Sequence, residues 1–227
     1  MTTRKTLILA AHPDDETLSC GGLIQNRLAQ QGEVHVVSVF GRRYPCSSAT
    51  PDAAWVASME KKSRQGLHFR DAMRVFGIPD SQLGLWSLEE GEPYKHGYYG
   101  LLEPIEELLA KYEWDEVVIP SPSDLNQDHR HLHDVCKIAL RPANLRSVRQ
   151  ILMWHGHDGG IPASANWFEP LTQQQQINKE RATMCYKDES KDPPHPRCLE
   201  NLYAYARLCG SIAGYELAEP FTLHLRR

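Results

Sequence analysis

The sequence contains no Cys-x-x-Cys pair, no long apolar run, no excess of basic residues and no Gly-x-Gly-x-x-Gly, and each absence closes a class of function. Its six cysteines, Cys20, Cys46, Cys136, Cys185, Cys198 and Cys209, are scattered, which points to a reduced, cytoplasmic protein. No apolar run approaches the ~20 residues of a membrane helix, and the first residues lack the long apolar region of a secretory leader. No membrane span is expected. A formal charge of -4 and a pI near 6.3 argue against a nucleic-acid partner, because affinity for nucleic acid comes mainly from neutralising phosphates. There is no internal repeat, and the glutamine run 173–176 is too short to be low-complexity sequence. With 227 residues, 41% of them hydrophobic, the chain is expected to form one domain spanning residues 1–227.

What the sequence does have is concentrated chemistry after two apolar strands. Residues 6–11 (TLILAA) are apolar in five of six positions and stop at His12-Pro13, so they read as a short buried strand. His12, Asp14, Asp15 and Glu16 follow at once, then Thr17 and Ser19 as candidate N-caps, and Gly21-Gly22 as a tight entry into a helix from Leu23. Residues 33–40 (EVHVVSVF) form a second strand and complete a βαβ unit. A third strand, 116–120 (EVVIP), ends directly in the second polar cluster, SPSDLNQDHRHLHD.

The remaining pattern alternates in the same way. Helices are expected over 69–76, ending at Gly77-Ile78-Pro79, over 101–112, over 130–140, from Thr172 with a Thr172/Gln175 capping box, and over 199–209. Strands are expected at 82–85, 150–154 and 221–225, with irregular loops over 41–58, 80–100 and 155–170. The fold class is therefore α/β: a three-layer α/β/α sandwich around a mostly parallel, Rossmann-like sheet. In such a sheet both polar clusters lie at the carboxyl edge of the strands, where ligands bind.

A hydrolytic zinc site needs three N or O ligands and one open position. His12 and Asp15, three apart in a loop, can turn towards one point, and His129 from the distant cluster can supply the third ligand. Asp14 is then free to take a proton from water activated there. Asp128 is expected to fix the orientation of an imidazole. His133, four residues after His129, reads as a helix-surface or supporting residue and His131 as solvated. His155 and His157 follow a strand, so either is a candidate proton donor or substrate contact.

Residues 12–16 (HPDDE) and 122–129 (PSDLNQDH) resemble the two signature motifs of the PIG-L/LmbE-like N-deacetylases, zinc enzymes that remove acetyl groups from N-acetylated amino sugars and glycoconjugates. Weaker echoes extend into the tail, at Lys179, His195-Pro196-Arg197, Gly210 and Glu219-Pro220-Phe221. The resemblance implies Zn2+ held by His12, Asp15 and His129, with Asp14 as general base and a small N-acetylated sugar or sugar conjugate as substrate. Asp14 and Asp128 are the expected catalytic carboxylates, and Arg43, Asn126, His157 and Arg197 the expected substrate contacts. One departure is Asn126, which stands where many members of the family carry a histidine; asparagine donates a hydrogen bond but delivers no proton. The alternatives are a zinc hydrolase of another amide or an ester, and a non-catalytic metal-, sugar- or nucleotide-binding protein on the same fold.

Overall fold

The computed structural model describes residues 3–42, 53–91, 97–145, 147–159, 162–189 and 191–227. Chain order is β1 (Lys5–Ala10), α1 (Asp15–Ala29), β2 (Glu33–Arg42), α2 (Ala53–Phe76), β3 (Leu83–Glu89), α3 (Gly97–Lys111), β4 (Glu116–Pro120) and α4 (Gln127–Ala139), then β5 (Gln150–Trp154), β6 (Trp167–Leu171), α5 (Gln173–Cys185), α6 (Leu199–Ala213) and β7 (Leu217–Arg226). The strands form one sheet in the order β3-β2-β1-β4-β5-β7-β6. Pairing is parallel from β3 through β5, and β7 runs antiparallel to both β5 and β6.

The helices α1, α2 and α5 pack on one another, and α3 packs on α4, so the sheet lies between two helical layers. Right-handed crossovers require this once strand order reverses between β1 and β4. That reversal matters most, because the two strands that carry the polar clusters are direct neighbours, and loops leaving them diverge into a crevice at the carboxyl edge. Leu7, Ile8, Leu9, Val117, Val118 and Ile119 of these strands have no exposed surface. Six such side chains anchor the loops that follow.

Several expected boundaries move. The first helix starts at Asp15 rather than Leu23, so the acidic residues form its first turn and favour its positive end. Thr17 and Ser19 are not caps: Thr17 Oγ1 donates to Glu16 Oε1, and Ser19 Oγ to the His155 carbonyl. Gly21 and Gly22 lie inside the helix, where a Cβ at Gly22 would stand 2.4 Å from Leu171 Cδ2. They serve close packing, Gly21 against Lys179 and Phe76 and Gly22 against β6, rather than a turn. Helix α2 begins at Ala53, inside a stretch expected to be a loop, and α3 at Gly97; β3 runs to Glu89. Strand β6 arises where no strand is expected, as an edge strand that tolerates Pro170. The helix end at Gly77, with φ 84°, and the Thr172/Gln175 capping box form as the sequence predicts.

Candidate active site

Strand β1 delivers His12 and Asp14 on the loop after Ala10, and Asp15 opens α1. Strand β4 delivers the other half through two nested turns. Asp124 Oδ1 accepts from the Asn126 N–H at 2.9 Å, and Asn126 Oδ1 accepts from the Asp128 N–H at 2.8 Å as the N-cap of α4. This capping places His129 in the first turn of α4, facing back towards β1.

His12, Asp15 and His129 converge. His12 Nδ1 lies 3.2 Å from His129 Nε2 and 3.3 Å from Asp15 Oδ2, and His129 Nε2 lies 3.2 Å from the same carboxylate oxygen. Among the described residues these three form the one grouping of histidine, cysteine and carboxylate donors close enough to hold a metal ion. A tetrahedral zinc ion with bonds of 2.0–2.1 Å sets neighbouring donors about 3.3 Å apart, so the triangle has the size such an ion requires. Nitrogen and carboxylate donors suit zinc as well.

The far nitrogens of both rings are also engaged. His12 Nε2 stands 2.9 Å from Asp128 Oδ2, and His129 Nδ1 stands 3.0 Å from Asp124 Oδ2. A carboxylate behind each imidazole fixes its orientation and raises its basicity, the usual support for metal-bound histidines. Asp128 is itself held by the Gly91 N–H at 2.9 Å. The charges follow from this packing. Burial pulls His12 down, but Asp128 and Asp15 more than reverse it, to about 9. His129 is likewise lowered by burial and carried up to about 10 by Asp15 and Asp124. Burial raises Asp15, yet the two imidazoles hold it below the usual carboxylate range. The site is thus built to hold positive charge.

Asp14 is the strained member. Its φ of 137° lies in the region that side chains rarely adopt, at a cost of about 1–3 kcal/mol. Burial and the Asp15 charge push its carboxyl well above the usual range, against the pull of Arg197, whose Nη1 lies 3.4 Å from Asp14 Oδ2. A buried carboxyl with a raised pKa is a stronger base than an exposed one, which suits it to taking up a proton.

His12, Asp14, Asp15, Asn126, His129, His157 and Arg197 all line one cleft of about 580 Å³. Asn126 spends its carbonyl on the cap, which leaves its amide N–H groups as donors. Arg43 lies outside the described residues. Two histidine expectations change. Burial holds His155 down to about 4, and burial with the Lys179 and Arg197 charges holds His157 down to about 3, so neither carries a proton to deliver at neutral pH. His131 and His133 are buried rather than on the helix surface, and His133 Nδ1 donates to the Pro120 carbonyl at 2.8 Å, away from the triangle.

Sequence reasoning assigns no role to Asp124, Glu16 or Tyr186, yet all three bear on the site. Asp124 has a signal, the alternating Asp-x-Asn-x-Asp that builds the nested turns. Tyr186 has none, because its partner is Glu16, 170 positions away.

The family model described as PIG-L, GlcNAc-PI de-N-acetylase, matches residues 7–140. No curated protein matches the chain. Among solved structures, an N,N'-diacetylchitobiose deacetylase from Pyrococcus horikoshii is similar at TM-score 0.77 and 18% identity, over 98% of this chain and 84% of that one. The A40926 pseudoaglycone deacetylase Dbv21 is similar at TM-score 0.75 and 16% identity, over 99% and 98% of the two chains. GalB, a 4-carboxy-2-hydroxymuconate hydratase from Pseudomonas putida KT2440, is similar at TM-score 0.73 and 15% identity, over 99% and 98%. At these identities the likeness shows the fold, and the fold carries a hydratase as well as deacetylases. The family match is of another kind, since it spans more than half of the chain and includes most of β1, all of β4 and both polar clusters: the chain belongs to the PIG-L family, a family of metal-dependent hydrolases that cut amide bonds.

Proposed function

We propose that this chain is a zinc-dependent N-deacetylase that hydrolyses the acetamide of an N-acetylated amino sugar or glycoconjugate, with residues 1–227 acting as one domain. The observation that carries this reading is the triangle of His12 Nδ1, Asp15 Oδ2 and His129 Nε2, with the Asp14 carboxyl lining the same cleft. When bound there, zinc supplies Lewis acidity that polarises an amide carbonyl and acidifies a water. Asp14 takes the proton of the attacking water at its carboxylate. The protonated Asp14 then returns it to the amine that leaves, which removes the need for a histidine at position 126.

Asp128 and Asp124 hold the two imidazoles, and Arg197 draws the Asp14 pKa down against burial and the Asp15 charge. The Asn126 amide and the neutral His157 ring contribute hydrogen bonds to the sugar; Arg43, on the segment after β2, is assigned the same task. A sugar substrate is supported by the named activities of the chitobiose and A40926 deacetylases and of the matching family. A cleft of about 580 Å³ falls in the range of small-molecule sites. Cys20, Cys136, Cys185, Cys198 and Cys209 are unpaired, in keeping with a cytoplasmic setting. No helix among the described residues is long and apolar enough to cross a membrane.

The test is amine and acetate release from a panel of N-acetylated sugars, phospho-sugars and glycoconjugates, before and after chelation. Release that chelation abolishes and zinc restores supports the reading. Release that survives complete removal of metal contradicts it.

A further inference from the structure

We infer that Glu16 and Tyr186 form a positioning pair that holds the general base Asp14 in its left-handed conformation. The inference rests on Asp14 acting as base in the reaction proposed above. A residue with a side chain stays at φ 137° only if its surroundings over-determine it, and both ends of Asp14 are held. Its carbonyl accepts from the N–H groups of Thr17 and Leu18, at 3.0 and 2.9 Å, which starts α1. Its N–H donates to Glu16 Oε2 at 3.2 Å.

That second contact is useful only if the Glu16 carboxylate is itself fixed. The other oxygen, Oε1, receives the Tyr186 hydroxyl and the Thr17 hydroxyl. Glu16 is 1% exposed and Tyr186 2%, so no bulk water competes for either group. A buried carboxylate is costly unless every such bond is made. An apolar side chain at position 16 would avoid that cost, so the carboxylate is explained by what it clamps.

Tyr186 follows directly on α5, which packs against α1 and α2. The hydroxyl therefore ties the direction of the Asp14 carboxyl to the position of a helix that contributes neither metal ligand nor base. Neither Glu16 nor Tyr186 reaches the cleft, and both act through Asp14.

The experiment uses Tyr186→Phe, which keeps the ring, and Glu16→Gln, which keeps size and one acceptor. Each is made alone and together with Asp14→Asn, and kcat, KM, bound zinc and crystal structures are obtained. The expected result is a loss in kcat of about 10-fold for Tyr186→Phe and about 100-fold for Glu16→Gln, with KM within about 2-fold and zinc content unchanged. In the Asp14→Asn background the same substitutions leave the residual rate where it is. In the crystal structure of Glu16→Gln, Asp14 leaves the left-handed region while the His12, Asp15 and His129 triangle stays closed.

Equal fold losses in both backgrounds, or loss of zinc in step with kcat, would mean a general structural role and would overturn the inference. A wild-type protein that releases acetate from nothing defeats the deacetylase reading instead. The Asp14 φ in the two variant structures then decides the positioning claim by itself, and an unmoved φ rejects it.

Discussion

Asp128 Oδ2 sits 2.9 Å from His12 Nε2, on the side of the ring opposite the nitrogen that faces Asp15 and His129. Asp128 therefore bears on the metal only through His12. Asp128→Ala is expected to weaken zinc affinity by about 10- to 100-fold while the fold remains intact. Competition against a fluorescent chelator measures this, and unchanged affinity would place the support of His12 elsewhere. The same substitution at Asp124 is expected to weaken the site through His129.

Arg197 bears on Asp14 with a positive charge that holds the Asp14 pKa down, against burial and Asp15. Arg197→Met removes that charge, so the Asp14 pKa rises and its base form is lost at a higher pH. The low-pH limb of the kcat/KM profile is expected to shift to higher pH, with the high-pH limb unmoved. A profile that falls uniformly, with neither limb displaced, would confine Arg197 to substrate binding.

His157 links stability to pH. Burial, then Lys179 and Arg197, holds the folded imidazole down to about 3, whereas an unfolded histidine titrates near 6.5. Between those values the unfolded chain binds the proton and the folded chain does not, so stability falls as pH drops through 6.5 and continues to fall towards 3. The loss at pH 5 amounts to about 2 kcal/mol. His157→Gln is expected to flatten the difference in unfolding free energy between pH 7 and pH 5 relative to wild type by that amount. Parallel curves for the two proteins would show that His157 is protonated in the fold.

Gly22 faces β6 and β7 with no room for a methyl group: a Cβ would lie 2.4 Å from Leu171 Cδ2 and 3.0 Å from Glu219 Cδ. Gly22→Ala is expected to destabilise the protein by about 1–3 kcal/mol, measurable by denaturant unfolding. A neutral effect would mean that β6 moves freely away from α1.

The features legible in the sequence are those whose physics is local. Strands β1 and β4 are unbroken apolar runs that stop at polar clusters, and a parallel sheet brings the ends of such strands together, so the pattern of residues alone groups His12, Asp15 and His129. Strand β6 is illegible because Trp167–Leu171 contains Glu169 and Pro170, and becomes a strand only by pairing with β7, about fifty residues later. The start of α1 escapes the pattern because its polar first turn is buried rather than exposed, Asp15 against His12 and His129 and Glu16 against Tyr186. The strained Asp14 backbone and the neutral state of His157 depend on neighbours from distant elements, and no local pattern announces either.

Anomalous diffraction at the zinc edge, from crystals of the purified protein, tests the metal site itself. One peak bonded to His12 Nδ1, Asp15 Oδ2 and His129 Nε2, at distances of about 2.0–2.2 Å, is the predicted result. Zinc-soaked crystals with no peak inside that triangle would contradict it.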